Sequence, residues 1–242
     1  MPSVAELKGS LKELIQRFDE LVEDFYRDHH PARSSDYFRE GPCLYFHQAT
    51  IQHVRQQLRP FAEWLPDDQR CHELLYATLI AWGMNSTTED GPKLKDFEEF
   101  RHAVSSLASL ESLEKCRPIE LDGLTHQRQP LIRELVETLA DPASGKVMKG
   151  GAFVVGGSKL LHHLLPDLIP PIDNKFTFGL IGWLADDNRL QGGQLENFEA
   201  VWHILMFFRK VLDGVTAEHI RKRWLSDERK YPMNTSIPAP VQ

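Results

Sequence analysis

The chain has 242 residues, 41% hydrophobic and 26% charged, with a formal net charge of −7; that size and balance suit a soluble globular protein with a proper core. The acidic excess counts against a protein that coats nucleic acid non-specifically, because phosphate binding needs clustered Lys and Arg. No apolar run approaches the ~20 residues of a membrane span, the first residues lack a secretory core, and Cys43, Cys71 and Cys116 fall at no metal or disulfide spacing, so a reducing, cytoplasmic setting with no metal, no cofactor and no membrane partner is expected.

Residues 3–29 read as a long amphipathic helix. Ser3 and Glu6 have capping-box spacing, and Leu7, Leu11, Leu14, Phe18, Leu21 and Phe25 share one face. The His29-His30 pair before Pro31 reads as a solvated helix terminus, since no carboxylate or cysteine joins it at ligand spacing. After a loop over 31–42, the spacing predicts a helix from Cys43 to Leu65 with Tyr45, Phe46, Ile51, Val54, Leu58 and Phe61 inward. Pro66-Asp67-Asp68 opens another helix that runs to about Trp82, with Leu74, Leu75, Thr78, Leu79 and Trp82 inward, and Gly83 ends it. A polar loop covers 85–92.

Lys95 to Leu107 reads as helix, with Phe97, Phe100 and Val104 inward. Short pieces follow over 110–116, a turn over 118–123, and a helix from Gln129 to Leu139 with Pro130 in its first turn. Gln194 to Leu212 carries Phe198, Val201, Trp202, Leu205, Phe208 and Leu212 on one stripe, and Thr216 caps a last helix to about Arg229. No stretch alternates with a period of two, so the fold class is all-α, with about ten helices. Residues 1–231 form one helical unit, either undivided or in two lobes with the element 150–183 between them; 232–242, with three prolines, is an extended or disordered tail.

The densest chemistry lies in 150–183, GGAFVVGGSKLLHHLLPDLIPPIDNKFTFGLIGW. Gly156-Gly157 precede Ser158, Lys159 and an apolar helix over Leu160–Leu165. Such glycines let a chain turn and leave amides free at a helix start, where a phosphate can sit; a tight helix–helix turn needs the same residues. In a first turn the helix dipole disfavours the charge of Lys159, which suits an amine nucleophile if the group is also desolvated. A solvated lysine, or an ion-pair partner of Asp173, fits the sequence as well. Asp173 follows Pro170-Pro171 and is placed to cap the next helix, where a carboxylate stays ionised and can stabilise a developing cation. His162 and His163 read as one packed and one exposed, and Trp82, Trp183 and Trp202 as core or as base-stacking surface.

The run Val155-Gly156-Gly157-Ser158-Lys159, the apolar helix and then Pro171-Ile172-Asp173 resembles the helix–hairpin–helix segment of the DNA glycosylase superfamily, in its divergent 8-oxoguanine-glycosylase-like form. The likeness covers about forty residues. It implies the multi-helix glycosylase fold and a DNA partner with a damaged or modified base. It implies catalytic roles for Lys159 and Asp173, and substrate contacts from Gly156, Gly157, Ser158, His162, Lys175 and Trp183. The absence of a four-cysteine cluster excludes the iron–sulfur branch. Two other readings stay open: a non-catalytic nucleic-acid or protein binding module of the same fold, and an unrelated α-helical interaction protein.

Overall fold

A computed structural model describes residues 42–84, 87–88, 91–140, 147–148, 153–172, 177 and 197–214. Eight α-helices lie among the described residues: α1 (Pro42–Gln56), α2 (Phe61–Trp64), α3 (Gln69–Ala81), α4 (Phe97–Ala108), α5 (Glu111–Cys116), α6 (Gln129–Ala140), α7 (Phe153–Leu164) and α8 (Asn197–Gly214). The expected helices over 3–29 and after Thr216, and the tail 232–242, lie outside the described residues. The all-helical reading holds, with one small exception in the polar loop. There Thr87–Thr88 (β1) and Gly91–Pro92 (β2) form a two-residue antiparallel pair.

The helix expected to continue from Cys43 to Leu65 is two helices. Pro60 has no N–H to give and sits at φ −55°, ψ 146° as the cap of α2, so an unbroken ladder is impossible there. The carbonyls freed by the break are taken by Arg117, which donates to the carbonyl oxygens of Gln57 and Arg59 and lies over the Phe61 ring. Leu58, expected to face inward, falls in this break and is 94% exposed. Phe61 and Val54 are buried as expected.

Pro66 sits in a 3-10 turn, Leu65–Asp67, ahead of α3 rather than in it. The cap of α3 is Asp68, whose Oδ1 accepts from the Cys71 amide at 2.8 Å and whose Oδ2 takes His53 Nε2–H at 2.8 Å. At the other end the Met84 amide bonds to the Leu79 carbonyl and the Gly83 amide to that of Ile80. This paired bonding is the Schellman arrangement, and Gly83 takes the left-handed φ of 77° it requires. Trp82 is thereby fixed at the helix end. Asp96 caps α4 through the Glu99 amide at 2.9 Å, which starts that helix two residues later than expected.

The core fills the space between α3, α4, α6, α7 and α8, with Leu79, Phe100, Leu107, Leu135 and Leu205 fully buried. α1 packs on α3 and α7, and α8 packs on α6 and α7. α1 and α3 are also pinned by a buried hydroxyl pair, Thr50 and Thr78, with Oγ1 atoms 2.9 Å apart. No helix among the described residues is long and apolar enough to cross a membrane.

Candidate functional site

The site is built on α7, whose sequence is FVVGGSKLLHHL. This helix begins at Phe153, so Gly156-Gly157 lie inside it rather than ahead of it. Neither has a positive φ, and both are buried. The amide of Gly157 falls to the helix's own ladder. The expectation of a glycine turn with free amides ahead of the helix is therefore corrected. What Gly156 provides is room: a Cβ there would stand 2.3 Å from Met148 Cγ and 2.5 Å from its Sδ. The glycine lets Met148 press against the helix backbone.

Ser158 is buried and works in two directions. Its hydroxyl donates to the Val155 carbonyl at 3.1 Å and accepts the Ile172 amide at 3.2 Å. Ile172, the residue before Asp173, is thus tied to the residue before Lys159. Asp173, Lys175 and Trp183 lie outside the described residues.

Lys159 is the seventh residue of α7, past the first turn to which the helix dipole extends its influence. The side chain is 7% exposed, and Nζ sits 5.5 Å from the centroid of the Trp82 ring. An amine at this range of an indole face gains electrostatic attraction when charged, so the tryptophan offsets part of the burial.

Three histidines surround this pair. His162 Nδ1 is 2.7 Å from the Ile169 carbonyl oxygen. His163 Nδ1 is 2.6 Å from the Lys159 carbonyl oxygen. Carbonyl oxygens only accept, so both Nδ1 atoms carry the proton. A neutral His163 then has a lone pair on Nε2, and His47 Nδ1, 3.0 Å away, must be the donor to it. The partners fix every ring as the Nδ1–H form. The Lys159–His163 bond is local helix geometry, since His203 bonds the Glu199 carbonyl in the same way. The His47–His163 bond is not local. It joins residues 116 positions apart.

The rings form one cluster. His47 and His162 lie parallel within 9°, centroids 5.4 Å apart. Trp82 is 4.9 Å from His163 and 5.2 Å from His47. Burial pulls all three imidazoles below their usual range. His47 falls to about 4, through burial first and then the neighbouring His162. His163 falls to about 3, through burial, which its bond to the Lys159 carbonyl opposes. His162 is lowered by burial too, and its bond to the Ile169 carbonyl opposes the shift. All three are neutral at physiological pH.

Of the residues the sequence nominates, Gly156, Gly157, Ser158, Lys159 and His162 come from one helix and one side of the chain. His47, His163 and Trp82 are drawn in by the fold from α1, α7 and the end of α3. The local signal for them was slight: an aromatic-rich Tyr45-Phe46-His47 after Gly41-Pro42, and a tryptophan before a glycine stop. Among the described residues no group of three or more His, Cys, Asp or Glu is placed to hold a metal ion. Comparison with protein-family models, with curated proteins and with solved structures gives no match.

Proposed function

We propose that this chain is a glycosylase-like protein that removes a damaged or modified base from DNA, with Lys159 as the amine nucleophile and Asp173 as the charge-stabilising carboxylate. The observation that carries the proposal is the Lys159 amine, withdrawn from water and set 5.5 Å from the centre of the Trp82 ring. Polar clusters of this kind are costly to bury and concentrate at working sites.

In the proposed step, Nζ attacks the sugar C1′ and a C1′–N bond forms. The bond from C1′ to the base breaks, and the base leaves with its electron pair, taking up a proton in place of the one Nζ gives up. A carboxylate at Asp173 would stabilise the positive charge that grows on the sugar ring. Trp82 offers an aromatic face for an extruded base. His163 holds the Lys159 carbonyl, and Ser158 holds the chain that leads to Asp173.

A second reading, a binding module that keeps the fold without chemistry, is favoured by one observation. The space beside Gly156 is filled by Met148 and the glycine pair lies within the helix, so these residues do not form the hairpin that would set a DNA strand against a nucleophile at Lys159.

Borohydride trapping on abasic and 8-oxoguanine duplexes separates the two. A covalent adduct that is lost in Lys159→Ala and in Lys159→Arg supports the enzyme, because a guanidinium does not replace a nucleophilic amine. Salt-dependent DNA binding without an adduct supports the module. Neither adduct nor binding overturns both.

A further inference from the structure

His162 has given its one ring proton away. Its Nδ1–H is donated to the Ile169 carbonyl at 2.7 Å, and a carbonyl oxygen only accepts, so Nε2 of the neutral ring carries a lone pair. Two features keep the ring neutral. His162 lies parallel to His47 within 9°, centroids 5.4 Å apart, a spacing at which two imidazolium charges repel. The ring is also half-buried, which disfavours its charged form. Asp167, the carboxylate that favours a charge on His162, is itself paired with Arg55 at 2.5 Å.

The lone pair is open to solvent. Nε2 of His162 has no hydrogen-bond partner among the described residues. Nor is it sealed: among the described residues the unpartnered polar side-chain atoms shut off from solvent belong to Trp64, His72, Arg101, Ser112 and Arg209. His163 differs, since it is fully buried and its Nε2 is taken by His47. Ser158 is likewise spent, on Val155 and Ile172. The Trp82 indole lies within 24° of parallel to the His162 ring, 6.3 Å between centroids, and Lys159 Nζ is 5.5 Å from the centre of that indole. His162 therefore brings an acceptor, and no donor, beside the ring that neighbours the amine.

We infer that His162 determines specificity at this site: its Nε2 accepts a hydrogen bond from an amino or ring N–H of the extruded base. The inference rests on the glycosylase reading and names the class of base that reading admits. A base with an N–H on the edge it presents completes the pair. A base with only lone pairs there sets acceptor against acceptor, and both lose the water that had bonded them.

The test uses the full chain in two measurements. With isotopically labelled histidine, long-range proton–nitrogen spectra at pH 7 are expected to show a bare Nε2 on His162, the signal being assigned by its loss in His162→Phe. A proton on that Nε2 overturns the inference. Binding is then read by fluorescence anisotropy on duplexes with one mismatched nucleotide, whose base is cheap to extrude. A 2′-fluoro sugar keeps that base attached, because fluorine disfavours positive charge at C1′. Bases are compared in pairs that differ by one amino group, adenine against purine and cytosine against pyrimidin-2-one. The wild-type chain is expected to bind the amino-bearing member of at least one pair about tenfold tighter. His162→Phe keeps a planar ring without the nitrogen and is expected to bring that ratio near one. His162→Gln, whose side-chain oxygen accepts, is expected to restore part of it. Circular dichroism checks each variant's fold; should His162→Phe unfold, the wild-type spectrum and the ratio in His162→Gln decide. Equal binding within both pairs, or a preference that survives His162→Phe, overturns this inference alone. A wild-type chain that binds none of these duplexes better than a fully matched one overturns the glycosylase reading and takes the inference with it.

Discussion

His47 Nδ1–H donates to His163 Nε2 at 3.0 Å, joining α1 to α7 by a bond between two neutral imidazoles. His163 is 1% exposed, so loss of its partner leaves a buried acceptor with nothing to accept. His47→Phe is therefore expected to cost about 1–3 kcal/mol. His163→Phe is expected to cost less, because the donor it abandons is only half-buried. The double variant should fall short of the sum by on the order of 1 kcal/mol, since both single changes break the same bond. Urea unfolding of the four proteins reads this coupling, and strict additivity would remove it.

The same burial gives stability a pH dependence with a defined sign. The His47 and His163 rings titrate near 4 and 3 in the folded chain, against about 6.5 when unfolded. The unfolded chain therefore takes up protons first as the pH falls. The contribution is full above about pH 6.5 and is lost as the pH drops from there toward the folded values. Between pH 7 and 4.5 the loss should be on the order of 2–3 kcal/mol, once solvent screening at half-buried His47 is allowed for. Unfolding free energies across that range check it. The slope should flatten in His163→Phe, and a slope unchanged by that substitution would assign the effect to other groups.

Gly156→Ala tests whether the glycine serves packing. The new methyl would overlap the buried Met148 side chain, and overpacking of this kind costs about 1–3 kcal/mol. Alanine's better helix propensity returns up to about 1 kcal/mol, so the net loss should be small to moderate. In a Met148→Ala background the same glycine substitution should lose most of its penalty, because the overlapping side chain is gone. Chemical unfolding of the two single variants and the double variant measures this. A Gly156→Ala penalty as large in that background as in the natural chain would show that the clash is elsewhere.

Asp68→Ala removes both the cap of α3 and the partner of His53. Cap loss alone costs about 0.5–2 kcal/mol. Asp68→Asn can still accept from the Cys71 amide and should recover part of that cost. Thermal unfolding of the pair separates the cap from the charge, and equal losses in both would assign the effect to charge alone.

Much of the fold was legible from spacing. In α4 and α8 the apolar stripe names the residues found inside, Phe100, Val104, Val201 and Leu205 among them, because a 3.6-residue period fixes which side chains share a face. Gly83 was legible as a stop, because a left-handed residue suits glycine before any other. Leu58 has the spacing of an inward residue, yet the chain breaks at Pro60 and turns it outward. The loose carbonyl of Gln57 left by that break is taken by Arg117, 60 residues away, a partner that local spacing does not reveal.

At the site the division is sharper. By itself the sequence determined that Lys159, His162 and His163 share one short apolar helix; it set Ser158 ahead of that helix, whereas Ser158 lies within it. It could not determine that the glycines lie within that helix, since glycine fits a turn and a crowded crossing equally well and only the position of Met148 distinguishes them. Nor could it determine that His47 and Trp82 close on His163. Helical spacing encodes the face a residue occupies, whereas the partner on that face comes from how distant helices pack, and the partner is what sets an imidazole's proton.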